Sequence, residues 1–593
     1  MSNMRIPGLA SGMDTDAMVQ SMMKVERLKV DRYEQSKQIA LWRQEAYINT
    51  NKMFANFILN TQKDMGLKKA SSTGSLSNVS YSRLDYVRKA TSSNETAATV
   101  SATSEVVNGS YNIEVKELAK GASFSSAKLN DKALENVKHL KFKLNDKEIE
   151  VGSADRTTDI TMDDVVKAIN SAKVETYQGK RVIDGKVEIE GKMEPLTEEQ
   201  KKQVKEESLG VSAFYDKDNG RLFMQTTKTG EGQEIKLDVV PTKPGDSEEV
   251  IKSIGAGNIF IDKLNEKVET GKKDVDGNPI YTPESMKETK GTNSKIIFNG
   301  VELTYSSNNI NLNGLDIELK AEGITNINVN TNVDGIMEKI EKFVNDYNEL
   351  IEKTSKLVSE KRYSNYHPLS QEEKKAMHED DAKLWQEKAK SGMLNRDETI
   401  QRTLQNIRTD LYKNVEGLDG SFKHITEIGI TTEKYSKGTT GGKLQIDKAK
   451  LRAAIEKDPE GVMKLLFNEP DVKKDGMSEA EYKKAVSNKS GVFTRIYDNL
   501  TDGMKSIIDK SGPGEDADLF RSVQFNILID FRTKKSSISD LDKEILDANK
   551  KIDDLNVMLY RKENAYYAKF ANMEKMLSQM NSQSNWLSQQ FMR

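Results

Sequence analysis

The hydrophobic pattern is most regular near the C-terminus, where apolar residues recur at alternating steps of three and four. This heptad spacing predicts a helix with one apolar seam that needs a partner helix. The seam residues are Ile538, Leu541, Ile545, Ala548, Ile552, Leu555 and Leu559. Lys562 and Tyr566 follow in phase, the phase slips by one residue, and the pattern resumes at Phe570, Met573, Leu577 and Met580. No proline or glycine interrupts residues 538–592, so one long helix is predicted.

A second stretch near the N-terminus has nearly the same spacing and is the predicted cover for this seam. Its residues are Ile39, Trp42, Ala46, Asn49, Met53 and Phe57. A polar residue such as Asn49 at a seam position fixes helix register at a cost in stability. The two termini are therefore predicted to form one helical stalk, with the rest of the chain inserted between them. An ordinary amphipathic helix on a local core is the alternative.

The start of the first helix is marked by Asp14, Thr15 and Asp16, with Thr15 as the predicted N-cap. Alternating apolar and polar residues from about residue 97 to 330 then predict a β-rich region. Within it, Thr161 and Asp164 predict the cap of a short helix ending near Ala172. Asn219-Gly220 and Asn299-Gly300 predict type I′ hairpins.

At Val333 the apolar period changes from two to 3.6, which predicts an amphipathic helix. Its apolar face consists of Ile336, Ile340, Phe343, Val344, Tyr347, Leu350 and Ile351. Further helices are predicted over 367–411, with Trp385 and Leu394 facing inward, and over 449–467 and 491–508. Residues 470–487 are interpreted as a charged excursion, and residues 70–78 and 511–514 as linkers.

This order predicts an α+β multidomain protein whose N- and C-terminal helices form a coiled-coil or helical-bundle leg, with β-rich head domains inserted between them. Residues 1–45 and 545–593 are assigned to a terminal coiled-coil leg, largely disordered in the free monomer. Residues 46–75 and 333–544 form a helical leg domain. Residues 76–122 and 290–332 form a β-rich head domain, and residues 123–289 an inserted variable β-rich head domain.

The composition narrows the possible functions of this 593-residue chain. Ninety basic and 93 acidic residues give a net charge of −3, which indicates neither nucleic-acid binding nor membrane-surface binding. Cysteine is absent, which excludes disulfides, thiolate catalysis and cysteine zinc sites. No apolar run reaches about 18 residues, so no membrane insertion is expected. The N-terminus has no apolar signal-peptide core, which indicates a cytoplasmic protein unless a signal-less export route applies.

The sequence contains only weak signals for a metal-binding or catalytic site. Asp274 to Asn278 resembles a calcium loop, but its glycine comes too early and no glutamate stands at the twelfth position, so a surface turn is expected. His378 to Asp381 is interpreted as a solvated helix face, and Gly438 to Gly442 as a flexible loop that lacks the P-loop lysine. No catalytic, metal or cofactor site is predicted, and assembly is the expected chemistry.

Several stretches resemble the flagellar filament-capping proteins, the hook-associated protein 2 family. They are Ile6 to Asp16 with Met22, Glu26, Arg27 and Trp42-Arg43; Gly109 to Ala119; Val333 to Ile351; Ser391 to Asp397; Glu427 to Ile430; Gly442 to Asp447; and the terminal helix. The resemblance covers about residues 1–120 and 290–593. The middle resembles the family only loosely, and the insertions near 177–209 and 271–290 fit no family pattern.

This resemblance implies an extracellular cap at the distal tip of the filament, exported through the flagellar type III system without a cleaved signal peptide. It implies a homo-oligomeric plate with legs, and flagellin, hook–filament junction proteins and an export chaperone as partners. The residues expected to contact the filament or partners are Leu9, Asp14, Asp16, Met22, Glu26, Trp42, Ile545, Ile552, Leu555, Leu559, Tyr566 and Phe570. The alternatives are an adhesin that binds host glycans through its head, an intracellular coiled-coil scaffold and, last, an enzyme.

Overall fold

The computed structural model describes residues 12–70, 76–129, 133–183, 185–189, 192–433, 441–513 and 538–591. The chain is an α+β multidomain protein that divides into two compact units. The first comprises Met1–Val87 and Thr331–Arg593, and the second comprises Arg88–Asn330. The second unit is therefore inserted in the sequence of the first.

The first unit begins with the 50-residue helix α1 (Thr15–Asp64), which is followed by the paired strands β1 (Lys68–Ala70) and β2 (Leu76–Asn78). Asp14, not the predicted Thr15, is the N-cap, because its carboxylate accepts the hydrogen bond from the backbone N–H of Ala17 at 2.9 Å. Thr15 is instead buried in the first turn.

The described part of the second unit is built from antiparallel strands and three helices. Its strands begin with β3 (Arg88–Ser92), β4 (Ala98–Ala102), β5 (Gly109–Glu117), β6 (Ser123–Ser125), β7 (His139–Leu144) and β8 (Lys147–Gly152). Next come α2 (Met162–Ser171), β9 (Lys173–Tyr177), β10 (Lys180–Ile183), β11 (Lys186–Ile189), β12 (Lys192–Pro195), α3 (Glu198–Lys201) and β13 (Lys205–Ser208). They are followed by β14 (Val211–Asp216), β15 (Arg221–Thr226), β16 (Leu237–Asp238), α4 (Glu248–Leu264), β17 (Glu269–Lys273), β18 (Pro279–Tyr281) and β19 (Lys287–Thr289). The last strands are β20 (Ser294–Phe298), β21 (Val301–Tyr305), β22 (Asn309–Leu312), β23 (Leu315–Leu319) and β24 (Gly323–Thr331).

Two main cores hold this unit together. One lies between the sheet ordered β21-β20-β5-β24-β3 and the sheet ordered β22-β23-β4, and includes Ile113, Ile296 and Ile327. The other combines sheets β14-β15-β6-β19 and β16-β7-β8 with α2 and α4. A smaller five-stranded sheet, β12-β11-β10-β9-β13, has its own small core around Val187.

The local turn and cap signals of this unit are confirmed with one exception. Thr161 and Asp164 form the predicted capping box of α2. Asn299 and Gly300 both have positive φ and form a two-residue hairpin loop. Asn219-Gly220 lies in the predicted hairpin between β14 and β15, but the predicted type I′ turn is wrong, because the loop between Asp216 and Arg221 has four residues and only the glycine among them has positive φ. The Asp216 carboxylate accepts hydrogen bonds from the backbone N–H of Asn219 and its side chain, which stabilises the longer loop.

The chain then returns to the first unit, where the described residues form further helices. These are α5 (Val333–Ser359), α6 (Gln371–Ala376), α7 (Glu379–Lys390), α8 (Glu398–Leu411), α9 (Lys448–Lys457), α10 (Pro459–Phe467), α11 (Glu479–Lys489), α12 (Val492–Ser511) and α13 (Asp540–Phe591), with the paired strands β25 (Ile430–Thr432) and β26 (Leu444–Ile446) before α9. All seven residues of the predicted apolar face of α5 are buried.

Three helix predictions in this region need correction. Residues 367–411 form α6, α7 and α8 rather than continuous helix; Leu394, predicted to face inward, is buried in the loop before α8, and Trp385 is half-buried. The helix predicted over 449–467 is broken at Asp458, because Pro459 cannot continue the hydrogen-bond ladder and begins α10 instead. The charged excursion contains the helix α11.

The core of the first unit joins α1, α5, α8, α10 and α12. Phe343 of α5 stacks on Phe493 of α12 with ring centroids 3.7 Å apart. Phe57 of α1 packs against the ring of Phe343. The buried polar residue at the α1–α12 contact is Asn51, whose side-chain amide donates to the Met504 carbonyl. Asn49, the predicted register residue, is exposed, so that prediction is wrong. The buried asparagine lies two residues farther along α1.

A buried arginine in this unit binds the C-terminal ends of α8 and α11. Arg495 of α12 is 1 % exposed and its guanidinium donates five hydrogen bonds to backbone carbonyls at 2.7–3.1 Å. The acceptors are Asp410 in the last turn of α8, Lys413 and Asn414 just after it, and Ser487 and Asn488 in α11. The cation thus faces the negative ends of two helices and satisfies carbonyls that have no partner within them.

Candidate partner-binding surface

The two terminal helices pair in opposite directions. The side-chain amide of Gln44 on α1 donates to the Asp542 carboxylate near the start of α13 at 2.7 Å. Nearer the N-terminus of α1, Glu26 pairs with Lys562, twenty residues farther along α13 than Asp542, at 2.6 Å. As residue numbers fall along α1 they rise along α13, which is the arrangement of an antiparallel helix pair.

The predicted seam of α13 faces α1 over much of its length. Leu541, Ala548 and Leu559 are buried, and Ile552 and Leu555 are half-buried. Ile538 and Met580, the two ends of the predicted seam, are exposed. The seam is therefore confirmed in its middle and ends earlier than the sequence predicts.

The residues of α1 that pack against the seam come from a different part of the helix than predicted. Val19, Met23 and Val30 form a small core with Leu559, and this core also packs half-buried side chains from α13. Those side chains are Ile552, Leu555, Tyr566, Tyr567 and Phe570. Leu541 and Ile545 pack instead against the main core of the first unit. The residues expected to cover the seam, from Ile39 to Phe57, lie farther along α1.

An ion pair fixes the register of the helix pair beside this small core. The Lys562 ammonium lies 2.6 Å from one oxygen of Glu26, while Lys29 lies 4.0 Å from the other oxygen. The hydrogen bond from Lys562 is the main reason why the pKa of the Glu26 carboxyl is lowered from its ordinary value. Lys562 takes a seam position, so one charged pair interrupts an otherwise apolar contact.

The residues expected to contact partners occupy several environments. Asp14 caps α1, Asp16 is half-buried in its first turn, and the Met22 side chain is 42 % exposed. Glu26 and the α13 residues Ile552, Leu555, Leu559, Tyr566 and Phe570 lie together in the helix pair, and Ile545 lies at its edge. Leu9 lies outside the described residues.

Trp42 is separated from these residues. Its side chain is buried and, together with Met53 and Leu394, lines a cavity between α1, α5 and the loop that follows α7. Trp42 and Gln44 lie about 200° apart around α1, so Trp42 faces away from α13. The structure therefore places the expected contact residues on two surfaces rather than one.

An exposed apolar surface on α13 lies outside the predicted seam. Leu546, Val557 and Tyr560 are 53 %, 54 % and 69 % exposed. Asp547, Asp553 and Asp554 are exposed beside them. The heptad pattern includes only the seam, so it missed these residues. The signal that could have identified them is a pair of apolar side chains three residues apart on the outer face of the helix, as at Val557 and Tyr560.

Other chemistry has little support in the described part of the chain. No group of three or more histidine, aspartate or glutamate side chains there is arranged to hold a metal ion. The Asp274 carboxylate accepts backbone hydrogen bonds from Asp276 and Asn278, which is the geometry of a turn. Among the helices of the described residues, none combines the length and hydropathy needed to cross a membrane.

Two family models match the chain. Residues 291–582 match the model of the flagellar hook-associated protein 2 C-terminus, and residues 11–122 match that of the flagellar hook-associated protein 2 N-terminus. Between them they include most of α1 and α13.

Individual proteins match as well. The chain is 27% identical over 617 residues to flagellar hook-associated protein 2 of Halalkalibacterium halodurans, covering 99% of this chain and 100% of that protein. It is 26% identical over 383 residues to the B-type flagellar hook-associated protein 2 of Pseudomonas aeruginosa, covering 63% of this chain and 65% of that protein. A crystal structure of domains D1–D2–D3 of the flagellar cap protein FliD from Escherichia coli aligns with a TM-score of 0.42 and 18% identity, covering 77% of this chain and 96% of that one.

Proposed function

Because this chain belongs to the flagellar hook-associated protein 2 family, we propose that it is an extracellular cap at the distal tip of the bacterial flagellar filament. In this proposal several copies form an oligomeric plate with flexible legs, which promotes insertion and polymerisation of exported flagellin. The observation that carries the proposal is the match of the two family models to opposite ends of the chain. Members of this family are structural proteins of the flagellum, and no catalytic role is proposed.

The paired terminal helices are the proposed leg. A two-helix contact buries only a narrow seam, and here its core has four buried side chains among the described residues. Exposed apolar residues such as Met22 and Val557 remain on both helices. Since burying apolar surface releases about 25 cal/mol per Å², the pair gains stability when flagellin or another protein covers these residues. This supports a leg whose order depends on its partners.

The proposed domain organisation places the inserted variable head domain at residues 123–289 and the first head domain at 76–122 and 290–332. In support, the core around Ile113 draws its residues from 98–115 and 296–329. The core around Phe142 draws nearly all of its residues from 124–264. The remaining segments, 46–75 with 333–544 and 1–45 with 545–593, make up the proposed helical and coiled-coil parts of the leg.

The proposed route and partners follow from the family. The chain would leave the cell through the flagellar type III system without a cleaved signal peptide, accompanied by an export chaperone until export. At the filament it would contact other copies of itself, flagellin and the hook–filament junction proteins. The adhesin alternative has no support in the matched families, whose descriptions are those of flagellar hook-associated proteins.

Deletion and complementation test this function directly. We expect cells that lack this chain to release flagellin monomers into the medium and to build no full filaments. The full chain should restore filaments, and a chain lacking residues 1–45 and 545–593 should not. In light scattering, the purified full chain should form an oligomer, and the truncated chain should self-associate more weakly. Normal filaments in the deletion strain would refute the proposal.

A further inference from the structure

A groove in the first unit has the features of a site for a helix. A cavity of about 520 Å³ opens between α1, α5 and the loop after α7. Trp42, Ala46, Asn49 and Met53 of α1 form one wall, at the heptad spacing noted in the sequence. Leu357, Met393 and Leu394 form the opposite wall and floor. The heptad stripe of α1 therefore lines an open groove and is not covered by α13.

The rim of this groove is basic. Three lysines line it, namely Lys353, Lys356 and Lys390. The two carboxylates of the rim are already engaged, because Glu45 pairs with Lys390 at 2.8 Å and Glu360 accepts a hydrogen bond from the backbone N–H of Gly392.

Lys356 is the rim cation open to a partner. Lys353 pairs with Glu349 one turn away at 2.5 Å. Lys356 is exposed and has no carboxylate of the described residues within 4.0 Å; the Glu352 carboxylate one turn away feels its charge but is paired with Lys443 at 2.7 Å. A segment that fills this groove should therefore carry apolar side chains next to carboxylates.

The outer face of α13 carries that combination. Val557 and Tyr560 are exposed and lie three residues apart, so they project from one side of the helix. Asp553 and Asp554 precede Val557 by about one turn and are exposed, and their carboxylates form no hydrogen bond or ion pair with side chains of the described residues. We call these four residues the outer stripe. Two apolar anchors at this spacing are the usual requirement for a helix bound in a groove.

The outer stripe of the same chain has no access to this groove. Asp542 binds Gln44, so α13 begins on the face of α1 that lies about 200° from Trp42. From there α13 runs antiparallel to α1 toward Glu26, away from Met53. An outer stripe that fills this groove would therefore have to come from a second copy.

We propose that the groove of one copy receives the outer stripe of α13 from a second copy. The proposal deepens the homo-oligomeric part of the proposed function and rests on it. The groove and the outer stripe are different surfaces, so the contact is head-to-tail. Repeating such a contact produces a closed ring when the rotation between copies allows it. The contact would thus link the leg of each copy to the helical domain of its neighbour.

Cysteine crosslinking provides the test, because the natural chain has no cysteine. Lys356→Cys and Asp553→Cys are prepared as separate full-length proteins, mixed and oxidised. We expect a disulfide-linked dimer that contains one copy of each. Lys167→Cys, on the exposed face of α2, replaces Lys356→Cys in the control mixture. A yield of dimer no higher than in the control would overturn the proposal.

Charge reversal gives a second measurement. Lys356→Glu and Asp553→Lys should each weaken self-association roughly threefold or more in light scattering, and the double variant should recover much of the loss. Lys167→Glu should have no effect. Both sites are exposed, so circular dichroism should show unchanged folding.

The outcomes separate the two levels of the proposal. If the natural chain forms an oligomer that neither reversal weakens, the groove contact is wrong and the homo-oligomeric cap stands. If the natural chain remains a monomer at every concentration and no crosslink forms, the groove contact is overturned together with self-assembly in solution, and the deletion experiment alone decides the cap function.

Discussion

The Tyr47 hydroxyl of α1 donates a hydrogen bond to the carboxylate of Asp397, the residue that caps α8. Asp397 also accepts the backbone N–H of Ile400 at 3.0 Å, and Lys510 of α12 lies 3.6 Å from the same carboxylate. Burial, reinforced by the bond to Asp397, raises the pKa of Tyr47, so the phenol stays protonated and remains a donor. One carboxylate thus joins three helices of the first unit.

Removing this hydroxyl should destabilise the first unit. We expect Tyr47→Phe to lower the free energy of unfolding by about 1–2 kcal/mol, because the buried carboxylate loses a donor while the ring remains. Urea denaturation measures the change. Tyr33→Phe, at an exposed position of the same helix, is the matched control and should be neutral. Equal stabilities for the two variants would show that the Tyr47 bond contributes nothing net.

The buried Arg495 should be more sensitive to substitution. Arg495→Met keeps most of the apolar stem but leaves five backbone carbonyls without their donor. We expect a loss of about 3 kcal/mol or more in the free energy of unfolding. The exposed Arg402→Met is the control for loss of charge alone. A loss below about 1 kcal/mol would mean that water replaces the guanidinium at these carbonyls.

Two glycines of α4 should respond in opposite directions to alanine. A Cβ at Gly257 would lie 1.9 Å from the Lys141 carbonyl oxygen on β7, so Gly257→Ala must push the helix from the sheet. A Cβ at Gly255 meets no atom within 4 Å, so Gly255→Ala should stabilise the helix by about 0.5–1 kcal/mol.

Thermal unfolding of the two variants gives the comparison. We expect Gly257→Ala to lose about 2 kcal/mol or more, and the melting temperature to move in opposite directions for the two. A shift of the same sign in both would contradict the close approach of α4 to β7.

Pairing of the terminal helices should weaken in acid. The pKa of Glu26 is lowered by Lys562, so its contribution is present above the unfolded value of about 4.3 and is lost as the pH falls through the folded value. We expect Glu26→Gln to speed hydrogen exchange of residues 19–30 at pH 6. The difference from the natural chain should vanish once the pH lies below the lowered folded pKa of Glu26, where the natural side chain is also uncharged.

Glu34→Gln, on an exposed face of the same helix, provides the control for the lost charge and should leave exchange unchanged. A difference between the Glu26 variant and the natural chain that persists at the lowest pH would mean that the side chain contributes by packing rather than by its charge.

The structure was most predictable from the sequence where local signals agree. In α5 the apolar period is unbroken, and all seven predicted residues are buried. Asn299-Gly300 forms its turn because both residues adopt positive φ without strain. At Asn219-Gly220 the same dipeptide follows Asp216, whose carboxylate binds the loop backbone and favours a longer turn. A competing side chain decided the outcome.

Contacts between distant segments were harder to predict. α1 has apolar residues on more than one face, so spacing alone favoured Asn49 as the register residue although Asn51 is the buried one. Its heptad stripe at Trp42 and Met53 lines the groove with α5, and other residues of α1 cover α13. Periodicity identifies a face that needs a partner but does not identify the partner. The ion pair between Glu26 and Lys562 joins two residues that were each singled out for separate reasons.

The bond between Gln44 and Asp542 joins residues that are 498 positions apart. In a chain that emerges N-terminus first, α1 is the first of the described helices to be available and its antiparallel partner is the last. Closing so long a loop costs chain entropy, and the cost falls when the intervening segments have already become compact. The inserted unit is therefore expected to fold before α1 and α13 meet, so their pairing would follow the folding of the segments between them.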